Sequence, residues 1–333
     1  MSIRYLPEQL TASLVSHELA MQATLRAFIA VTDSDSTSFP VVHGHGHDRL
    51  NRFSLKSAST PQLAGVKVGS YWPRNGDIGL AAHSSCILMF DQRVGRIEAV
   101  IEAAEANAYR TAAGNALAVD VLARADARRL AIFGAGHQAA YECAAVMRVR
   151  RLEEIYVVNR DVERAYQFAR KLAGGGVPVA VVGAEEACRN ADIIVTATGA
   201  RSPLFEAGAV QPGTHVSCMG ADAVGKQELP SDLLCRAALF CDEVEQSLRI
   251  GEFQHVANAV RSGAISAPTN LGQVLTGRHP RRTDDISISV FDSSGLALQD
   301  LFLGQSLLDE AEQRGLILTY EERQRDLGSP DRA

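Results

Sequence analysis

The second half of the chain alternates between short apolar runs and segments with the spacing of amphipathic helices. The apolar runs are rich in β-branched residues, which favours strands. The strands predicted in this way are Leu130–Phe133, Ile155–Val158, Val177–Val182, Asp192–Thr198, Thr214–Met219 and Ala238–Asp242. Strands and helices that alternate along a chain form a parallel sheet with right-handed crossovers. This half is therefore predicted to be a doubly wound α/β domain.

The first half has a different pattern. Apolar residues from Leu6 to Val31 have helical spacing, whereas residues 39–90 contain short strands separated by turns. A turn at Arg93–Arg96 predicts a hairpin with Ile97–Glu102 as its return strand. The alanine-rich segment 103–124 predicts a long helix that connects two domains.

These patterns predict two domains that share a cleft, because 333 residues exceed the usual ~100–200 residue domain. We expect residues 124–292 to form the doubly wound domain. Residues 1–123 together with 293–333 are expected to form a mixed α+β domain, since the helical segment from Leu296 onward can return to the first half. The last six residues, Gly328–Ala333, have the composition of a disordered tail.

Composition restricts the class of partner. The net charge of -6 argues against a broad nucleic-acid surface. No apolar stretch reaches the ~20 residues that cross a membrane, and no N-terminal segment has the pattern of a signal peptide. The six cysteines form no CxxC pair, which favours reduced core thiols over disulfides or zinc. We therefore expect a cytoplasmic protein that acts on a small molecule.

The clearest chemical motif directly follows the first strand of the second half. Leu130–Phe133 leads into Gly134-Ala-Gly136-His-Gln-Ala139 and then into a helical segment. Such a Gly-x-Gly-x-x-Ala turn brings backbone N–H groups and the helix dipole onto the pyrophosphate of a dinucleotide. The motif predicts a nicotinamide or flavin dinucleotide bound to a Rossmann domain.

The residues after the second strand leave the choice between NAD and NADP open. An acidic side chain there binds the ribose diol of NAD, whereas an arginine pairs with the 2′-phosphate of NADP. Asn159, Arg160 and Asp161 follow one another at this position. Arg160 suits a phosphate, and Asp161 can still reach a diol.

Six motifs resemble the ornithine cyclodeaminase/mu-crystallin family in their order and spacing. They are Gly65-Val-Lys67, Arg110-Thr-Ala-Ala113, the glycine loop, Ala191–Thr198, Pro212-Gly-Thr-His-Val and Gly220-Ala-Asp222-Ala-Val-Gly-Lys226-Gln-Glu-Leu. The resemblance extends from near Gly65 to Asp300. Further segments, among them Ser54-Leu-Lys-Ser, look most like the branch that contains iminosuccinate reductase and the ectoine-utilisation reductases.

The resemblance implies roles for particular residues in the reduction of a C=N bond. Lys67 resembles the lysine that binds the substrate carboxylate, and Asp222 resembles the catalytic aspartate. Arg110 resembles an arginine between cofactor phosphate and substrate. A second substrate cation corresponds to Arg49 or Arg52, and we prefer Arg52 because it begins a predicted strand.

The chemistry of these residue types agrees with the roles. A carboxylate beside an imine is oriented by a cation, and a guanidinium can bind it through two hydrogen bonds. Asp222 follows a strand of the parallel sheet, where side chains face the crevice, and its charge would stabilise an iminium. The structural alternatives are a solvent-exposed Lys67, a salt bridge of Arg110 between the domains and a turn cap at Asp222.

The expected cofactor contacts come mainly from loops at the ends of strands. They are Ser84, Arg110, Gly134, Gly136, His137, Gln138, Asn159, Arg160, Thr198, Met219, Gly220, Ala221, Lys226 and Ser293. His137 and Gln138 are expected to contribute chiefly backbone N–H groups. Lys226 is expected to hold either Asp222 or the nicotinamide ribose, with a surface lysine as the alternative.

The run His43-Gly-His45-Gly-His47 allows two interpretations. Alternate residues of a strand share one face, so that three imidazoles could bind a metal ion. The glycines favour an exposed loop instead, and we predict no metal site. One of these histidines could contribute to a pocket for a second substrate carboxylate.

Together these features predict an NAD(P)H-dependent imine reductase that converts a small 2-imino acid, preferably 2-iminosuccinate, to the L-amino acid, L-aspartate. The branch favours NAD. The alternatives are an ammonia lyase of the ornithine cyclodeaminase type with bound NAD, and a binding protein for NADPH and a small ligand. A homodimer is expected because the apolar strand at Cys86–Phe90 is predicted to lie at a sheet edge, where it needs cover from a partner.

Overall fold

The computed structural model describes residues 3–319 and divides into two compact units. The first unit contains Met1–Arg110 and Leu296–Ala333, and the second contains Thr111–Gly295. The expected tail Gly328–Ala333 and the rest of residues 320–333 lie outside the described residues, as do residues 1–2.

In chain order the strands are β1 (Arg4–Leu6), β2 (Thr37–Ser38), β3 (Val42–His45), β4 (Arg52–Ser59), β5 (Ala64–Tyr71), β6 (His83–Asp91), β7 (Arg96–Glu102), β8 (Arg129–Phe133), β9 (Glu154–Val158), β10 (Val179–Val181), β11 (Ile193–Thr196), β12 (His215–Cys218), β13 (Ala238–Cys241), β14 (Thr269–Asn270), β15 (Ser289–Asp292) and β16 (Leu318–Thr319). The α-helices are α1 (Glu8–Leu14), α2 (His17–Ala30), α3 (Ala104–Leu122), α4 (His137–Val149), α5 (Val162–Leu172), α6 (Ala184–Asn190), α7 (Ser231–Arg236), α8 (Val244–Ile250), α9 (Ala257–Arg261), α10 (Leu271–Leu275) and α11 (Ala297–Gln313).

The first unit is built on a mixed sheet with the order β16-β1-β7-β6-β5-β4-β2, and β3 also pairs with β4. The β1–β7 pair is parallel and the other pairs are antiparallel. Helix α11 covers one face of this sheet. Gly304 on α11 permits the close approach, because a Cβ there would lie 3.1 Å from Ile101 Cδ1. The covered face contains Ile87, Met89 and Ile101, all fully buried.

The opposite face of the same sheet is apolar but only partly covered. Its half-exposed side chains are Leu55, Val66, Val68, Cys86, Leu88 and Val100. The expectation that Cys86–Phe90 lies at a sheet edge is wrong, because β6 pairs with β5 on one side and β7 on the other. The surface that remains uncovered is a face of the sheet, since interior strands have no free edge.

The second unit confirms the doubly wound α/β fold. Its strands all pair in parallel in the order β10-β9-β8-β11-β12-β15-β13-β14. The chain leaves β8 toward β9 and later returns to β11 on its other side, so the direction of strand addition reverses between β8 and β11. Ligands of such sheets bind beyond the carboxyl ends of the strands near this reversal. Strand β15, which no predicted run covered, lies between β12 and β13.

Within residues 3–319 we find no helix whose length and hydrophobicity would let it span a bilayer.

His215 on β12 is a fully buried imidazole in the second unit. Its Nδ1 lies 2.9 Å from Ser289 Oγ and its Nε2 lies 3.0 Å from Ser217 Oγ. Burial, together with the nearby positive charges of Arg282 and Arg150, lowers the pKa of His215 to about 3. The folded protein therefore keeps this ring neutral at pH values where an unfolded chain protonates it.

We expect His215 to make the second unit less stable at acidic pH. Below the ordinary histidine pKa of ~6.5, the unfolded state binds a proton that folded His215 does not bind, so the free energy of unfolding falls by about 1.4 kcal/mol per pH unit. Urea denaturation at pH 7.5, 6.5 and 5.5 should show that His215→Gln loses less stability on acidification than the parent. Equal losses in both proteins would contradict the buried neutral ring.

Candidate dinucleotide and carboxylate sites

The glycine loop joins β8 to α4 in the second unit. Gly134 has a φ of 114°, and its N–H donates to the carbonyl of Val158 on β9 at 2.9 Å. A Cβ at Gly134 would lie 2.6 Å from the carbonyl oxygen of Ala197. Both the backbone conformation and the packing therefore require glycine at this position.

Gly136 has a different environment from Gly134. It is the N-cap of α4, is exposed, and a Cβ added to it would meet nothing within 4 Å. The first turn of α4 carries no acidic side chain. Its N–H groups and dipole therefore favour an anion, and the open space at Gly136 lets a pyrophosphate approach the backbone.

The side chains that follow Gly136 contact residues of their own helix. His137 stacks on Tyr141 with 4.9 Å between ring centroids, and Gln138 donates to Glu142 Oε1 at 2.7 Å. Glu142 is buried and also accepts a hydrogen bond from Asn115 at 2.8 Å. These contacts tie the first turns of α4 to the next turn of the helix and to Asn115 on α3.

The three candidate ribose-binding residues that follow β9 differ in the contacts they make. Asp161 caps α5 by accepting a hydrogen bond from the backbone N–H of Arg164 at 3.1 Å. Asn159 Nδ2 donates to the carbonyl of Asp161 at 2.8 Å, and Arg160 is exposed. The carboxylate of Asp161 therefore already serves as a helix cap.

A buried carboxylate, Glu228, ties together the loops after β11 and β12. Its Oε1 accepts from Thr198 N and Oγ1 at 2.8 and 2.7 Å, and its Oε2 accepts from Thr196 Oγ1 and Gly220 N at 2.8 and 2.9 Å. Burial raises the pKa of Glu228, while hydrogen bonds from Thr198, Thr196 and Gly220 act in the opposite direction. Both loops lie at carboxyl ends of neighbouring parallel strands.

The loop after β12 contains the expected cofactor residues Met219, Gly220 and Ala221. Met219 and Ala221 are buried, and Met219 N donates to the carbonyl of Thr196 at 2.8 Å. A Cβ at Gly220 would lie 2.1 Å from the carbonyl oxygen of Thr198. Glycine is therefore required here by the neighbouring loop, whatever the cofactor contributes.

Asp222 follows directly and is half exposed. Lys226 Nζ lies 2.5 Å from Asp222 Oδ1 and donates to the carbonyl of Gly220 at 3.1 Å. Lys226 therefore holds the aspartate against its own loop. A carboxylate fixed in this way at a strand end can accept a hydrogen bond or a proton from a cationic nitrogen.

Ser293 lies at the end of β15, beside a second buried acid. Asp242 Oδ2 accepts a hydrogen bond from Gly295 N at 2.6 Å, and its Oδ1 accepts one from Ser294 Oγ at 3.2 Å. Ser293 Oγ lies 3.4 Å from Asp242 Oδ2, and its N–H donates to the carbonyl of Cys218. The loop after β15 is thereby attached to β12 and β13.

The first unit contains a buried set of cationic side chains. Lys67 Nζ and Arg110 Nη2 both donate to Asn107 Oδ1, at 2.9 and 2.7 Å. Arg110 Nε forms a salt bridge with Asp300 Oδ1 at 3.1 Å. Lys67, Arg110 and Asp300 are each less than a tenth exposed. Lys67 is buried, which excludes a lysine that extends into solvent.

Strand register identifies a further candidate site residue, Lys56, which the sequence analysis did not name. Lys56 on β4 pairs directly with Lys67 on β5, so both side chains lie on the covered face of the sheet, and both are 6% exposed. Alternation along β4 places Arg52 on this face as well, at the exposed end of the strand. The same period-two pattern was visible in Arg52-Phe-Ser-Leu-Lys56, and it would have identified Lys56.

The remaining candidates are placed as follows. His43 and His45 lie on β3 opposite Ser54 and Arg52, on the face that carries Lys67. Ser84 lies on the opposite face, because its neighbour Ser85 pairs with Gly69 on the face of Lys67. Arg49 lies in the turn before β4. Within residues 3–319 we find no group of three His, Cys, Asp or Glu side chains arranged to hold a metal ion.

The chain matches the ornithine cyclodeaminase/mu-crystallin family over residues 9–315, which confirms the resemblance inferred from the six motifs. It is 35% identical to the iminosuccinate reductase of Paracoccus denitrificans over 319 residues, which cover 94% of this chain and 98% of that protein. The crystal structure of that reductase in complex with NAD+ superposes with a TM-score of 0.88 at 33% identity and covers 96% of this chain and 99% of its own.

Three further matches carry the names of enzymes for other substrates. The alanine dehydrogenase of Archaeoglobus fulgidus is 30% identical over 92% of this chain and 94% of its own. An archaeal alanine dehydrogenase dimer with bound NAD has a TM-score of 0.87 at 29% identity, with 96% and 99% coverage. The Thermococcus litoralis Δ1-pyrroline-2-carboxylate reductase in complex with NADH and L-proline has a TM-score of 0.86 at 26% identity, with 95% and 99% coverage.

We expect Gly136→Val to weaken dinucleotide binding without unfolding the protein. The valine meets no protein atom near its Cβ, so its side chain occupies the space through which a pyrophosphate reaches the α4 backbone. Titration of NADH fluorescence should show an affinity reduced at least about tenfold, or roughly 1.4 kcal/mol.

Gly134→Val is the matched comparison, because a side chain there collides with Ala197 and should lower the melting temperature. An unchanged NADH affinity in folded Gly136→Val would contradict the placement of the site.

Proposed function

The chain belongs to the ornithine cyclodeaminase/mu-crystallin family, and we propose that within it the protein reduces 2-iminosuccinate to L-aspartate. It is an NAD(P)-dependent oxidoreductase that acts on a C–N bond, as are its relatives. The proposal of this particular substrate is supported by the similarity to the Paracoccus denitrificans iminosuccinate reductase and by the chemistry of the first unit.

The observation that carries the proposal is the buried cation set around Asn107. Lys67 and Arg110 share the oxygen Asn107 Oδ1, so both cationic groups lie close to one point inside the first unit. Asp300 pairs with Arg110 at Nε, and buried cations favour a further anion because little water competes with it. We assign this point to the carboxylate next to the imine, with Arg52 on the same sheet face as a further substrate cation.

Each of the candidate site residues has a separate role in the proposed reaction. The balanced reaction converts the imine, NADH and a proton to the amino acid and NAD+. When bound, the nicotinamide supplies the hydride for the imine carbon. Lys67 and Arg110 orient the substrate through its carboxylate, and Asp222 holds the proton at the imine nitrogen. Lys226 keeps the Asp222 carboxylate in place through the 2.5 Å ion pair.

We propose that the second unit binds the cofactor and that the cofactor is NAD. The open backbone at Gly136 and the first turn of α4 fit a pyrophosphate. The iminosuccinate reductase and the alanine dehydrogenase were solved with NAD+ or NAD. The direct measure is the ratio of kcat/KM for NADH and NADPH with one imine.

Asp222→Asn should lower turnover and leave NADH affinity unchanged. The amide cannot carry the charge that stabilises the iminium, and loss of such a proton-transferring group typically costs roughly 10²–10⁴-fold in kcat. Oxidation of NADH should be followed with oxaloacetate and ammonia as the source of 2-iminosuccinate. Asp232→Asn, an exposed aspartate on α7, is the matched control.

Lys67→Ala should act mainly on substrate binding. Loss of its charge-assisted contact is expected to cost about 1.5–3 kcal/mol, or roughly 10- to 150-fold in KM.

If Asp222→Asn works at the parental rate, the proposed mechanism fails. If the parent oxidises neither NADH nor NADPH with any 2-imino acid, the cyclodeaminase or binding-protein function replaces the reductase, and release of ammonia from an amino acid separates those two.

We further propose that the first unit mediates a homodimer as well as substrate binding. The half-exposed apolar face of its sheet contains Leu55, Val68 and Leu88, and a second copy would remove this surface from water. A related archaeal alanine dehydrogenase is a dimer.

Light scattering at micromolar concentration should give twice the mass of the chain. Val68→Glu places a charge within the apolar face and should shift the protein toward monomer. Val162→Glu, at an exposed valine on α5 of the second unit, should leave the mass unchanged. A monomeric parent would contradict the dimer.

A further inference from the structure

We propose that Lys56 and Lys67 form a paired ammonium site that binds the two carboxylates of a dicarboxylic imino acid, with Lys56 selecting the distal carboxylate. This inference rests on the proposed reductase function and makes it specific. Lys56 is thereby a determinant of substrate class, since a monocarboxylic imino acid has no group for it to bind.

Strand register brings the two lysines together. Lys56 and Lys67 are direct cross-strand partners in the antiparallel pair β4–β5. Side chains of direct partners point to the same face with Cβ atoms about 5 Å apart. Two lysines that start from neighbouring points on one face can each bind one carboxylate of a C4 diacid. Both strands are interior to the sheet, which fixes the register of the pair.

The burial of two lysines next to each other has an electrostatic consequence. Like charges directly opposite on neighbouring strands destabilise a sheet, and lysine is rarely buried this far. Both side chains are nevertheless only 6% exposed. Arg110, which shares Asn107 with Lys67, is itself paired with Asp300. A ligand with two carboxylates offers each of the two lysines a group of opposite charge, whereas a ligand with one carboxylate does not.

Small residues lie beside Lys67 on the same face of the sheet. Its ammonium lies over Gly69, because a Cβ at Gly69 would be 3.3 Å from both Cε and Nζ of Lys67. Gly69 pairs with Ser54 on one side and Ser85 on the other, so that three small residues form a row across the sheet. Ser85 is 5% exposed, and within the described residues its Oγ has no hydrogen-bond partner. This hydroxyl is available to donate to a carboxylate at the site.

Arg52 is the competing candidate for the distal carboxylate. It lies on the same face but at the exposed end of β4, opposite Tyr71 and His45. A charge in contact with water contributes less to binding than a buried one. The buried position therefore favours Lys56 as the residue that distinguishes two substrates by one carboxylate.

The test compares a dicarboxylic with a monocarboxylic imino acid. Oxaloacetate or pyruvate is mixed with ammonia, and kcat/KM is measured for the parent, Lys56→Gln, Lys56→Arg, Arg52→Gln and Lys171→Gln. Lys171 is an exposed lysine on α5 of the second unit and serves as the matched control. Melting temperature and NADH affinity report whether each variant is folded.

We expect Lys56→Gln to reduce kcat/KM for the dicarboxylate roughly tenfold or more, as for the loss of other charge-assisted contacts. Its kcat/KM for the monocarboxylate should stay near the parental value, and Lys56→Arg should retain most of the selectivity. Equal losses for both substrates, unchanged selectivity, or a loss of selectivity in Arg52→Gln alone would overturn the assignment.

Equilibrium binding separates this inference from the proposed function. Calorimetric titration of the NAD-loaded protein with L-aspartate and L-alanine should show a preference for L-aspartate that Lys56→Gln abolishes. If the parent lacks reductase activity but this preference depends on Lys56, the proposed function fails and the dicarboxylate site stands. If the parent reduces imines without a dicarboxylate preference in rate or binding, the site fails and the reductase stands.

If Lys56→Gln does not fold, Lys56→Arg and the binding preference of the parent decide the question. The absence of a preference for L-aspartate in the parent would then overturn the site.

Discussion

The four hydrogen bonds to the buried carboxylate of Glu228 are the constraint on which the loops around Asp222 in the second unit depend. They join the loop after β11 to the loop after β12, through Thr196 and Thr198 on one side and Gly220 on the other. Gly220 can approach only because it has no Cβ, and Asp222 lies two residues further along. The position of the proposed proton-holding group therefore follows from an acid that needs no contact with substrate.

Glu252 stabilises the backbone that carries Glu228. It accepts hydrogen bonds from the backbone N–H groups of Glu228 and Leu229, and burial raises the pKa of Glu252 to about 8. A protonated acid at this position avoids a second negative charge next to Glu228. Two buried acids with raised pKa thus stabilise loop geometry, whereas the exposed Asp222 keeps its carboxylate beside a lysine.

Local patterns predicted much of this architecture. The apolar runs gave β8, β9, β11, β12 and β13, and the glycine motif located the turn before α4, because strand, turn and helix signals lie within a few neighbouring residues. Strand β15 is short and was not predicted, although it completes the sheet beside β12. Glu228 and Lys56 were also missed. Their roles arise from contacts between strands and loops, and a sequence without known register does not reveal such pairs.

The sheet of the first unit uses its two faces for different chemistry. Odd and even positions of β5 point in opposite directions, with Lys67 and Gly69 on the covered face and Val66 and Val68 on the apolar, partly exposed face. An insertion or deletion of one residue within β5 would exchange these sets. It would place valines among the buried cations and lysine on the apolar surface in a single event. Changes of chain length in this unit are therefore expected to accumulate in turns such as 60–63, while β4 and β5 keep constant length during divergence.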